Sequence, residues 1–133
     1  GLALGRDRSV SPSSRIVQSA YEECFGQAPA TALLYYGCRS YEDGLKAGTY
    51  FSTLANAQAI FANGDDVAAG IIKGLPATRK MEVIGEENLI SSQLLGFSTV
   101  DHHLEQCGAE AFELLFKDQN SRTTIPYQFI KRS

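Results

Sequence analysis

The sequence predicts an α/β domain: a doubly wound, mostly parallel sheet with helices on both faces. Three observations lead there. Short apolar runs alternate along the chain with segments whose apolar residues recur every three or four positions, in the order β-α-β-α-β-α-β. The runs at 59–62 and 81–84 carry apolar residues on both sides, as strands covered on two faces do. Both then end in small and acidic residues, Asn63-Gly64-Asp65-Asp66 and Gly85-Glu86-Glu87. Strands that end this way point their carboxyl ends into a polar crevice, where open α/β sheets bind ligands.

Taken in order, residues 2–4 are the first strand, and the polar stretch from Arg6 to Ser14, with Pro12 inside it, is a loop. Ser14 is expected to cap a helix over 14–25, with Ile16, Val17, Ala20, Tyr21, Cys24 and Phe25 forming its apolar face and Gly26 stopping it. Residues 31–36 read as a strand ending at Gly37. Ser40 with Asp43 three positions on resembles a capping box, and the helix it starts carries Tyr41, Leu45, Gly48, Phe51 and Leu54 on one side. The third strand is 59–62. The third helix is 67–75, closed by Pro76, and the fourth strand is 81–84. After it the rhythm changes: 89–95 is at most a short helix and 96–99 a connector. Asp101 is expected to cap a helix reaching Lys117, with Leu104, Cys107, Ala111, Phe112, Leu114 and Leu115 in phase. The last strand spans 123–130, and Pro126 puts it on an edge.

At 133 residues the chain is one domain with room for a core. A formal net charge of −3, with Lys and Arg scattered, offers no basic footprint for nucleic acid. No apolar run has the length of a membrane span. Cys24, Cys38 and Cys107 fit neither a zinc pattern nor a redox pair and read as buried thiols of a reducing, cytoplasmic compartment.

The candidate chemistry lies at the strand ends. Asp65 and Glu87 fall where a small molecule would sit, although either Asp65 or Asp66 fits equally well as a helix cap. His102 and His103 are adjacent on the expected helix, about 100° apart, and cannot chelate one metal together; they read as a surface pair in its first turn. The serines lack a G-x-S-x-G elbow, and Gly26, Gly44 and Gly70 make no phosphate cradle. Catalysis, metal and cofactor are therefore not expected.

These residues also resemble a known family. Phe61-Ala62-Asn63-Gly64-Asp65-Asp66-Val67-Ala68-Ala69-Gly70 resembles the F-A-x-N-D-x-x-A-x-G segment of lactose/galactose-repressor (LacI/GalR) regulators. Val83-Ile84-Gly85-Glu86-Glu87 is similar to the V-V-G-[FY]-D that follows it. Phe97-Ser98-Thr99-Val100 with Gly108, Ala111 and Leu114-Leu115 resembles L-T-T-V…G-x-x-A…L-L. The end, from Ile125-Pro126 to Arg132, resembles I-P-x-x-[LF]-[IV]-x-R-x, and Ser14-Arg15 with Tyr21 resembles the S-x-R-x-R-x-x-G-[YF] helix start. The five motifs keep the family's order over nearly the whole chain. Val17 stands at the second arginine, Gly64 at the usual Asn, Glu86 at the aromatic and Glu87 at the aspartate.

The resemblance implies a periplasmic-binding-protein-like fold, of which residues 1–133 would be the C-terminal portion of the effector-binding domain. It implies an effector, most naturally a sugar, bound by Arg15, Phe61, Asp65 and Glu87. The loss of the second arginine speaks against an anionic effector. It implies a homodimer whose contact from this region uses Ala69, Ile72, Lys73, Leu94, Leu95 and Phe97. Operator DNA would be read only through an N-terminal head outside this stretch, and the expected helix from Asp101 to Lys117 would pack on the N-terminal subdomain. A solute-binding protein of a transporter shares the fold and is the alternative.

Overall fold

The computed structural model describes residues 1–117 and 121–133. Its elements are β1 (Leu2–Leu4), α1 (Pro12–Phe25), β2 (Leu34–Tyr36), α2 (Tyr41–Ser52), β3 (Ala59–Ala62), α3 (Asp65–Gly74), β4 (Glu82–Glu86), α4 (Ile90–Leu95), β5 (Ser98–Asp101), α5 (Leu104–Leu114) and β6 (Gln128–Ile130). One sheet runs β2-β1-β3-β4-β5-β6, parallel throughout except for the antiparallel β5–β6 edge. The chain steps one way from β1 to β2 and the other way from β2 onward, so the topological switch lies between β1 and β3. Right-handed crossovers then put α1 on one face and α2, α3 and α4 on the other.

The α2/α3/α4 face holds the core. Ala3, Ile60, Ala62 and Val83 of the sheet pack against Ala47 and Phe51 of α2, Val67, Ala68 and Ile71 of α3, and Phe97. Helices α2 and α3 touch backbone to backbone through two glycine pairs spaced four apart, Gly44/Gly48 and Gly70/Gly74. A β-carbon on Gly70 would lie inside the Tyr41 carbonyl and 2.9 Å from the Gly44 Cα; one on Gly48 would overlap the Ile71 carbonyl. Only hydrogen fits at these positions.

Several expected boundaries shift, each for a local reason. Helix α1 starts earlier, because Ser11 is its cap, accepting from the Ser14 N–H at 3.3 Å, and Pro12 occupies the first turn. A 3-10 turn takes Thr31–Leu33, so β2 keeps three residues. Ser40 caps α2 as expected, accepting from the Asp43 N–H at 3.3 Å. Asp43 accepts in turn from the N–H of Arg39 rather than Ser40, at 3.1 Å.

The 96–99 connector is replaced by strand β5. It reads as a connector because its buried residues are polar: Ser98 Oγ accepts from the Arg132 N–H at 3.1 Å, and the Thr99 hydroxyl donates to Asp65 at 2.7 Å. Asp101 ends this strand instead of capping a helix. The chain turns through His103, at φ 51, before α5 begins at Leu104. The final strand is shorter than expected, and Pro126 precedes it.

The expected inner face of α1 is not the buried one. Ser14 and Gln18 are buried, and the Gln18 side-chain amide donates to the Tyr36 hydroxyl at 3.0 Å. Ile16 and Phe25 stay 69% and 66% exposed. Of the three cysteines only Cys38 is buried, and burial first, then the nearby Asp43 charge, pushes its thiol up to about 11.

Candidate functional site

Parity along the strands decides what reaches the carboxyl edge of the sheet. Ala62, Val83 and Phe97 turn toward the core. Phe61 belongs to the opposite face, in the cross-strand row Leu34, Leu2, Phe61, Ile84, Ser98. Two residues further along the same face come Asn63 after β3 and Glu86 at the end of β4. These two line a cavity of about 300 Å³ together with Leu4, His102 and the first turns of α1, namely Ser13, Ser14, Ile16 and Val17. Nε2 of His102 lies 3.2 Å from Glu86 Oε1. The Asn63 amide donates to the Cys38 carbonyl at 3.2 Å, while its oxygen is buried without a partner among the described residues.

Asp65 is fully buried. One carboxylate oxygen accepts from the Thr99 hydroxyl at 2.7 Å and the other from the Leu89 N–H at 2.6 Å. Gly85 is explained here, since a β-carbon there would run into the Asp65 carboxylate. The cap position of α3 is Gly64, with no side-chain cap bond, so Asp65 is neither a helix cap nor a surface ligand group. It ties β5 and the turn after β4 to the start of α3, and its charge also suits a helix N-terminus.

That turn is strained. Glu87 and Asn88 have φ of 94° and 53°, a region that costs non-glycine residues roughly 1–3 kcal/mol each. Neighbours hold it in place. The Glu87 N–H donates to the Val100 carbonyl at 2.8 Å, Asn88 Nδ2 to Asp101 at 3.0 Å, and Arg132 to the Asn88 side-chain oxygen at 2.6 Å. Glu87 is thereby held at the surface, exposed but partly desolvated at the sheet edge. Burial, then the charges of Asp65, Glu86 and Asp66, raise its carboxyl above the usual range, with His102 opposing. It lines a second hollow of about 460 Å³, shared with Asn88, Leu89, Asp101, His103, Leu104, Glu105 and Gln106.

The four residues expected to share one concave surface therefore separate. Glu87 borders the second hollow, Asp65 is interior, and Phe61 lies half-buried on the sheet face. Arg15 lies over a shallow depression on α1 with Ile16, Ser19, Ala20 and Glu23. The strand-end cavity contains none of them. Sequence reasoning missed Asn63, Glu86 and His102. Counting alternation from Phe61 finds Asn63, and counting from Ile84 finds Glu86. No comparable signal exists for His102, which precedes α5 half-buried instead of sitting on its surface.

No protein-family model matches the chain. Catabolite control protein B of Bacillus subtilis is 35% identical over 130 residues, 96% of this chain and 42% of that protein. Among solved structures, a LacI family transcriptional regulator from Lactobacillus casei with bound sucrose superposes with a TM-score of 0.82. It is 18% identical and the match covers 99% of this chain and 55% of that one. The chain thus resembles a catabolite control protein in sequence and LacI-family regulators in fold. A complex of the transcriptional regulator CelR with cellobiose matches at TM-score 0.79 and 21% identity, over 98% of this chain and 45% of that one. A probable transcription regulator from Thermus thermophilus matches at TM-score 0.72 and 25% identity, over 98% and 57%. The chain spans about half the length, or less, of the proteins it resembles.

Proposed function

We propose that the chain is the C-terminal part of the effector-binding domain of a cytoplasmic transcriptional regulator that senses a sugar. The observation that carries the reading is the strand-end cavity, at the switch edge of a doubly wound sheet, in a chain 35% identical to a catabolite control protein. Sugar sites need acceptors for neighbouring hydroxyls and an apolar wall. Asn63, Glu86 and the serines of α1 offer the first, Leu4 and Val17 the second. Glu87, on its strained turn beside this cavity, is a further contact for a ligand that extends past the sheet edge.

The other half of the cleft would come from an N-terminal subdomain in a longer protein. Helix α5 supports this: it buries no residue, and Leu104, Phe112, Leu115 and Phe116 are 57–76% exposed. Faces of that apolarity mark surfaces that something covers. Effector binding would then act by population shift, changing how two DNA-binding heads are spaced.

Dimerisation belongs to the same reading, with its contact set revised. Ala69 and Phe97 are core residues, 4% and 3% exposed, and cannot meet a partner. Leu94, Leu95 and Ile90 of α4 are exposed, Lys73 is exposed, and Ile72 is half-buried. Replacing Leu94 and Leu95 by Glu in the longer protein should give a folded monomer on a sizing column. A surviving dimer would remove α4 from the interface. The function itself is tested by a mobility shift of the protein's own promoter DNA with and without glucose, sucrose or cellobiose. A sugar-dependent change in the shift is expected; promoter DNA left unshifted at micromolar protein under every condition would sink the reading.

A further inference from the structure

We infer that the strand-end cavity takes an uncharged polyhydroxylated ligand and rejects its phosphorylated forms, with Asn63 and Glu86 accepting its hydroxyls. This rests on the effector-binding reading above and specifies its ligand class. The argument is a count of donors and acceptors. The Asn63 side-chain amide spends one N–H on the Cys38 carbonyl at 3.2 Å, and its buried oxygen has no donor among the described residues. A buried carbonyl oxygen left unpaired costs stability, and a ligand hydroxyl would satisfy it. Glu86 keeps one oxygen against His102 at 3.2 Å; the other carries no hydrogen bond among the described residues. An ionised carboxylate only accepts, as does the Asn63 carbonyl oxygen, so both atoms call for a ligand that donates.

The surrounding charge points the same way. Among the described residues, neither Lys nor Arg lines this cavity, and its α1 wall presents Ser13, Ser14, Ile16 and Val17. Arg15, the basic side chain in the opening turns of α1, lies over the depression that holds Glu23. Glu87, Asp65 and Asp66 add negative field beside Glu86, which the raised carboxyl of Glu87 reflects after its burial. His102 is the one group able to carry positive charge here, and it faces Glu86. A phosphate dianion would be brought against carboxylates without a counter-charge. A sugar hydroxyl would find charge-assisted acceptors. At about 300 Å³ the cavity is near the lower limit for small-ligand sites, room for one sugar ring on this side.

The test is calorimetric titration of the intact protein carrying this chain with glucose, sucrose and cellobiose, then with glucose 6-phosphate and sucrose 6-phosphate. At least one unphosphorylated sugar should bind, and phosphorylation should weaken binding at least a hundredfold. Glu86→Gln should weaken the neutral sugar about tenfold at unchanged melting temperature, and Val17→Arg should narrow the gap between the two forms. A phosphorylated sugar binding as well as its parent overturns the inference while leaving the sensing function intact; that comparison needs no variant, so it decides even if Glu86→Gln fails to fold. Unchanged affinity in a folded Glu86→Gln also overturns it. Binding of none of these sugars overturns the sugar-sensing reading and this inference with it.

Discussion

The two faces of the sheet are built on opposite principles. On one, α2 and α3 meet through glycines, close over Phe51, Ile60 and Ile71, and leave no gap for a side chain. On the other, α1 buries Ser14 and Gln18 while showing Ile16 and Phe25 to solvent; α5, at the end of the chain, buries nothing. The first face is finished by the chain itself. The second is left open, and the strand-end cavity lies on that side. The proposed half-cleft would have this division of labour: one wall rigid enough to hold acceptors in register, the other free to meet a counterpart.

The sharpest way to break the comparison is at the glycine contact. Gly70→Val should cost more than about 3 kcal/mol, because overlap with backbone cannot be relieved by a rotamer change. Urea denaturation should show a large drop in midpoint, or no folded state at all. Asp65→Ala comes next, at roughly 3 kcal/mol, since it strips charge-assisted acceptors from Leu89 and Thr99. It should also loosen the Glu87 turn, visible as faster amide exchange at Leu89. A milder loss would mean that the turn is held by Arg132 alone.

On the unfinished face, Leu115→Ser and Phe116→Ser should change stability by no more than about 0.5 kcal/mol and improve solubility, as substitutions of uncovered residues do. A large destabilisation would show that α5 is already packed. The smallest effect concerns pH. The Asp101 carboxyl is held below its ordinary value by the His103 N–H, then by Asn88. Its contribution is therefore present above the ordinary value near 3.8 and is lost as pH falls through the lower folded value. Asp101→Asn should make the acid limb of a stability-versus-pH curve slightly shallower and leave neutral pH little changed; a steeper limb would reverse the assignment.

Much of the architecture was legible because strands 59–62 and 81–84 and the helix after Asp65 carry their signals locally: periodicity, a breaker, a cap. The failures share a cause. Strand β5 hid because Ser98 and Thr99 are buried through partners more than thirty residues away in sequence. The α1 face was read wrongly because a buried glutamine matched to Tyr36 leaves no hydropathy signature. Asp65 looked like a ligand group, and its burial depends on Gly85 and Thr99, which no window around residue 65 contains.

By itself, then, the sequence determined the α/β class, the order of most elements, the family likeness and the edge of the sheet where acidic groups gather. These follow from local propensity and period, which a linear chain states directly. Only the tertiary structure decided which acidic group lines the strand-end cavity. Strand parity turned Asn63 and Glu86 into the cavity and Phe61 onto the sheet face, while long-range hydrogen bonds drew Asp65 inside and pushed Glu87 out. Register and burial are properties of pairs of segments, and no single segment carries them.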